Sequence, residues 1–184
     1  MNPRLKERYK ESIASELREK YNYANVMQVP KLAKIVVNMG VGEANLEARL
    51  LEVAMSELAI ITGQQPNFRR AKKSISNFKL REGQRIGCAV TLRGDRMYEF
   101  MDRLFNMAMP RIRDFRGVPL KSFDKNGNYT LGLREQTIFP ELNIDKIEKD
   151  RGMNVTFVIE NSNSSEESFD LLQKFGMPFQ RQNQ

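Results

Sequence analysis

The chain has 184 residues, 40% of them hydrophobic, with 30 Lys and Arg against 23 Asp and Glu, a formal net charge of +7. That apolar content supports a real core and excludes global disorder, and the basic balance points to a polyanion partner, nucleic acid or an acidic membrane surface. No histidine and a single cysteine, Cys88, remove the Ser-His-Asp and Cys-His pairings, nearly all histidine metal sites, structural zinc and any internal disulfide.

There is no apolar run of about eighteen residues and hence no membrane span. The opening MNPRLKERYKES lacks the apolar centre of a signal peptide. One domain over residues 1–184, in a reducing cytosol, is the expectation. No G-x-x-x-x-G-K-[ST] loop is present, and no carboxylates or lysines cluster in a catalytic pattern.

Leu5, Tyr9, Ile13, Leu17 and Tyr21 recur every four positions and predict a helix over about 4–21 with a narrow apolar stripe. A stripe that thin suits a solvated helix docked by one edge rather than a membrane helix. Lys31 to Met39 reads as a strand ended by Gly40 and Gly42, and Asn45 as the N-cap of a core helix from Leu46 to Ile61, stopped by Gly63. QQPNFRRAKKSISNFKLREGQR reads as polar and basic, and IGCAVTLRG as a strand up to Gly94 in which Cys88 is a small buried hydrophobe. Asp95 then caps a helix that Pro110 stops, with Met97, Met101, Met107 and Met109 as core filler.

DKNGNYTLGL is a hairpin signal with Asn126-Gly127 between extended arms, and MNVTFVIE is a further strand. Ser164 and Glu167 form a capping box for the last helix, which Gly176 and Pro178 end. The order α-β-α-β-β-α-β-β-β-α predicts an α+β domain, a largely antiparallel sheet with helices packed on one face and a basic loop projecting.

The strand–glycine–helix layout after Lys34 resembles a nucleotide-binding loop only in outline. Gly40-x-Gly42 is followed by Glu43, Ala44 and Asn45, so the third glycine is missing, and Glu43 puts negative charge where a pyrophosphate would lie. A sharp turn from strand to helix is the favoured reading. Charge is concentrated elsewhere. Arg69, Arg70, Lys72, Lys73, Lys79, Arg81 and Arg85 face only Glu82, with Phe68 and Phe78 interleaved; RIRDFRG is a second basic run, and Glu141 to Asp170 carries a net charge of −5. The dense basic stretch reads as a phosphate-contacting loop. Strand parity puts Lys34, Val36 and Asn38 on one face opposite Ile35, Val37 and Met39, and Ala89, Thr91 and Arg93 opposite Cys88, Val90 and Leu92. Such polar faces suit RNA better than duplex DNA, for which no helix-turn-helix or zinc finger is present.

The blocks KIVVNMGVGEA, ITGQQP, RAKKSISNFKLREG, GCAVTLRG, MYEFMDRLFNMAMPRIRDFRG, FDKNGNYTLGLREQTIFPE and LLQKFGMPF resemble, in order and over essentially the whole chain, the bacterial large-subunit ribosomal protein five family, which binds 5S ribosomal RNA. Only the tail QRQNQ has no assignment. The resemblance implies a non-catalytic, cofactor-free and metal-free ribosomal component in the cytoplasm. It implies 5S RNA contact through Lys34, Asn38, Gln64, Thr91 and Arg93, with 23S RNA and neighbouring large-subunit proteins as further partners. The loop Lys72 to Gly83 matches the segment that reaches peptidyl-site transfer RNA, with Lys72, Lys73, Ser74, Asn77, Lys79 and Arg81 as its contacts. Residues around Arg134 to Arg151, including Glu141 and Asp145, match the part that meets a small-subunit head protein in an intersubunit bridge, which the acidic balance suits. A free-standing RNA chaperone or regulator, and a nucleotide-dependent enzyme using Gly40 and Gly42, are the competing readings.

Overall fold

The computed structural model describes residues 2–45 and 47–180, the side chain of Lys146 excepted. The expected helix start at Leu46 and the tail residues 181–184 lie outside them. Among the described residues five strands, β1 (Lys31–Gly40), β2 (Asn67–Arg70), β3 (Arg85–Leu92), β4 (Tyr129–Leu133) and β5 (Met153–Glu160), form one sheet in the order β2-β3-β1-β5-β4. The α-helices are α1 (Arg4–Arg8), α2 (Ala14–Tyr21), α3 (Ala48–Thr62), α4 (Gly94–Arg103) and α5 (Ser165–Lys174). The class is therefore the expected α+β with an antiparallel sheet. The order holds one strand fewer than expected, because the first arm of the Asn126-Gly127 hairpin is a single bridge, Phe123 to Tyr129. Its turn is organised by Asp124, whose Oδ1 accepts from the Asn126 and Asn128 amides.

The chain divides into two compact units. One is Met1–Ile35, Arg93–Leu131 and Thr156–Gln184; the other is Val36–Leu92 and Gly132–Val155. Strands β1, β4 and β5 contribute residues to both.

In the first unit, the amino-terminal helix runs from Arg4 to Tyr21 through one π-helical turn, Tyr9–Ile13, between α1 and α2. A strict four-residue stripe drifts by about 40° per step around an ordinary α-helix. The wider π turn absorbs one residue and keeps the stripe facing the core. Leu5, Ile13 and Leu17 are buried, and Tyr9 stacks on Phe175 with ring centres 5.9 Å apart. Four charged side chains of this helix are paired within the chain. Arg4 grips Asp102 with two 2.6 Å bonds, Lys6 meets Asp95 at 2.6 Å, Lys20 pairs with Asp170, and Glu16 pairs with Lys174.

Helix α4 has Arg93, not Asp95, as its N-cap, and it continues through a π turn, Leu104–Ala108, and a short turn, Met109–Arg111, that contains Pro110. Met97, Met101 and Met109 are core as expected, but the π turn leaves Met107 exposed. At α5 the Ser164 hydroxyl accepts from the Glu167 amide, while the Glu167 carboxylate reaches one residue further back than expected, to the Asn163 amide. Gly176, in a left-handed conformation, follows α5 as expected.

In the second unit, Val37 and Met39 of β1 pack inward with Cys88, Val90 and Leu92 of β3, beside Leu51, Ala54, Leu58 and Ile61 of α3. Gly63, at φ +67°, ends α3 by closing its amide on Ala59. Gly87 permits close approach of two strands: a Cβ there would lie 2.7 Å from the Met39 carbonyl oxygen. Burial pushes the Cys88 thiol up to about 11, so it stays protonated and behaves as a small hydrophobe.

Candidate nucleic-acid interface

The polar surface of the second unit is built on three strands. Asn38 lies between the buried Val37 and Met39 and stays partly exposed, as does Thr91 between Val90 and Leu92. Gln64, just past α3, donates to the Thr91 carbonyl at 3.2 Å, so these two expected contact residues are brought together. Ala89, expected on the same face, is 2% exposed and forms floor rather than surface.

Strand β2, which the expected order counts without giving it residues, extends this face. Asn67 lies opposite Ala89 and Arg69 opposite Gly87, so both share the side of Thr91. Phe68 lies opposite Cys88, and the alternation polar-apolar-polar in NFR is the only local signal. A bulge follows Arg69, after which Arg70 stands directly opposite Arg85. Like charges set opposite each other repel unless an anion sits between them. Arg85 also lies over the Phe68 ring, 4.2 Å from its centre. Among the described residues, Arg69, Arg70 and Arg85 have no ion-pair partner.

The basic loop is an ordered hairpin rather than a loose segment. Ala71 exchanges backbone bonds with Gln84 and Gly83 at 2.8 and 3.0 Å, and Ile75 with Leu80 at 2.9 and 3.1 Å. The Ser74 hydroxyl accepts from the Glu82 amide, and the Gln84 side chain from the Arg81 amide. Gly83, at φ +83°, supplies the left-handed backbone of the return. Lys72, Lys73, Ser74, Asn77, Lys79 and Arg81 are all exposed, and among the described residues these cations also lack ion-pair partners. Asn45 does not cap α3, whose N-cap is Glu47. Its amide nitrogen donates instead to the Phe78 and Lys79 carbonyls at 3.1 and 2.7 Å, tying the hairpin apex down.

Lys34 and Arg93 belong to the first unit. Lys34 is partly exposed next to Ala33, a break in strict alternation between the buried Leu32 and Ile35, and Arg93 is exposed just beyond β3. Of the residues matched to the bridge, Arg134 and Asp145 are exposed and Glu141 is partly so. Arg151 is interior: its side chain is 6% exposed, and its guanidinium lies 3.2 Å from the Glu57 carboxylate. Gln136 joins them, donating to the Lys149 carbonyl at 2.8 Å and accepting from the Arg151 amide. Burial pushes the Glu57 carboxyl above its usual range, opposed by the attraction of Arg151.

The glycine turn does not open onto a helix end. Gly42–Asn45 forms a separate short helical turn, α3 starts at Ala48, and Glu43 is held by Lys149, which lowers its carboxyl pKa. Among the described residues no group of acidic or cysteine side chains is arranged to hold a metal ion, and no helix is long and apolar enough to cross a membrane.

A family model described as ribosomal protein L5 matches residues 25–81, and one described as the ribosomal L5P family C-terminus matches residues 85–179. The large ribosomal subunit protein uL5 of Prosthecochloris aestuarii is 58% identical over 180 residues, covering 98% of this chain and 91% of that protein. Its counterparts in Geotalea uraniireducens and an Anaeromyxobacter strain are each 56% identical, covering 96% and 98% of this chain and 98% and 100% of theirs. These matches take in β1, the arginine-bearing β2, the hairpin apex and β3 alike, and so place the polar surface within a known lineage: the chain belongs to the ribosomal protein L5 family.

Proposed function

We propose that this chain is a structural component of the large ribosomal subunit in the cytoplasm, without catalytic activity, that binds 5S ribosomal RNA. Asn38, Gln64 and Thr91 in the second unit, and Lys34 and Arg93 in the first, supply the contacts, with Asn67 and Arg69 extending them. Neighbouring 23S RNA and large-subunit proteins complete its surroundings. The observation that carries this reading is the polar side of the strands, where Asn67 and Arg69 of β2 share the side of Thr91 and Arg69 has no ion-pair partner among the described residues, an arrangement that a phosphate backbone satisfies. Asn38→Ala and Thr91→Ala are each expected to weaken 5S RNA binding by about 0.5–1.5 kcal/mol with little change in melting temperature. Filter binding beside thermal melts measures both, and parent-like affinity in both variants would remove the strand face from the contact.

The exposed hairpin contacts peptidyl-site transfer RNA through Lys72, Lys73, Ser74, Asn77, Lys79 and Arg81. Its cations are free to meet phosphates, and their contacts, mainly electrostatic, can be made and released as transfer RNA moves. Replacing Lys72, Lys73, Lys79 and Arg81 by Ala is expected to leave the fold and 5S affinity nearly intact while speeding transfer RNA dissociation from assembled ribosomes. Loss of 5S affinity with unchanged transfer RNA dissociation would place the hairpin on the 5S contact instead.

The segment from Arg134 to Arg151 meets a basic protein of the small-subunit head. Arg134 and Asp145 are exposed, Asp145 follows Ile144, itself 69% exposed, and Arg151 supports the segment from inside.

A further inference from the structure

Phe78 is 72% exposed and Ile75 42% exposed, on the hairpin whose other outward side chains are charged or polar. Apolar surface at the end of a basic projection does nothing for the phosphate contacts already assigned to Lys72, Lys73, Lys79 and Arg81. It is also held in place at a cost. Lys79 sits at φ +50°, a left-handed conformation that a lysine adopts only under constraint. The constraint is visible: the Lys79 amide bonds to the Ser76 carbonyl at 2.9 Å, and the Asn45 side chain, 34 positions away, donates to the carbonyls of both Phe78 and Lys79. The apex is therefore built before any ligand arrives.

We propose that this apex recognises an exposed nucleobase face. Phe78 stacks on the base, the hairpin's cations hold the neighbouring phosphates, and Asn45 is the positioning residue that keeps the ring presented. Charge selects the occupant: a ring on a hairpin that carries four cations without ion-pair partners among the described residues meets RNA more readily than it meets an apolar protein surface. The proposal rests on the reading of the hairpin as a transfer RNA contact and adds a base-stacking component to it. Stacking tolerates any base, because every base has a π face, so the contact suits a ligand whose identity changes with each codon. Pre-ordering the apex removes the loss of backbone freedom that binding would otherwise exact.

The test uses ribosomes reconstituted with the full-length chain and measures peptidyl-site transfer RNA dissociation. Phe78→Ala is expected to speed dissociation about tenfold without altering its salt dependence, whereas Phe78→Trp restores the parent rate. Asn45→Ala is expected to speed it as well, and to add nothing on the Phe78→Ala background, which separates a positioning role from general loosening of the fold. Because Phe78 is exposed, its variants are expected to melt with the parent. Parent-like dissociation for Phe78→Ala, with faster dissociation for the four-cation variant, would overturn the stacking proposal and leave the transfer RNA reading standing. Parent-like rates for both would overturn both. Weaker association of the two subunits by Phe78→Ala, with transfer RNA unaffected, would assign the ring to a protein partner and also overturn the proposal.

Discussion

Replacing Arg151 by Met is expected to destabilise the chain by about 3–5 kcal/mol, because it strands the Glu57 carboxylate in the interior. Glu57 sits on α3 with a side chain 8% exposed, and Arg151 answers it from the residue pair just before β5. The loss depends on pH with a definite sign. A carboxyl whose folded pKa lies above its unfolded value binds a proton on folding, so stability falls as pH rises through the raised value. Burial already raises Glu57, and removal of the opposing guanidinium raises it further. The deficit of Arg151→Met is therefore expected to be large near about pH 7 and smaller near about pH 5. The pair itself is not a source of net stability. The Arg151 Nη2 is buried and has no hydrogen-bond partner among the described residues, so the charges are incompletely satisfied. The double variant Glu57→Leu with Arg151→Met is expected to recover most of the loss. Urea unfolding at the two pH values measures all of this. A single variant as stable as the parent, or a double variant no better than the single, would show that the pair is not what holds this interior together.

Elements written in local code were legible in the sequence. Parity after Lys34 places Asn38 outward and Val37 and Met39 inward, Ser164 caps α5, and Gly63 ends α3. Features that depend on a distant partner were not. Strand β2 was counted in the expected order, but its bounds and register, with two arginines in four residues, are set by its pairing with β3. Asn45 has the composition of an N-cap, yet its amide is used 33 and 34 positions away at the hairpin apex. Glu57 was an anomaly in an apolar helix that the sequence displays but cannot resolve, since its answer lies 94 positions on. Exposure of Met107 follows from a π turn, which shifts the helical register without any glycine or proline to announce it.

The largest effect on binding is expected from salt. Chloride and potassium compete with no hydrogen bond directly; they remove the gain from releasing counterions when Lys and Arg meet phosphates, so the logarithm of 5S RNA affinity should fall with the logarithm of salt by about 0.7–0.9 for each phosphate neutralised. The chain's cations are not equivalent in this respect. Arg4, Lys6 and Lys20 already face Asp102, Asp95 and Asp170, and neutralising them exposes a carboxylate rather than deleting a phosphate contact. Arg69, Arg70 and Arg85 face nothing of opposite sign among the described residues. Contacts from these three would give a slope of about −2 to −3. Arg69→Ala and Arg70→Ala are each expected to reduce it by about one, with Arg4→Ala leaving it unchanged. Arg70→Ala carries a second signature. Removing one of two opposed like charges relieves repulsion in the free chain, so its melting temperature is expected to hold or rise while RNA affinity falls. Stability and affinity moving in opposite directions identify Arg70 and Arg85 as a site built for a polyanion rather than for the fold. A salt slope near zero, or one that Arg4→Ala changes as much as Arg70→Ala does, would defeat the assignment of 5S RNA to these arginines.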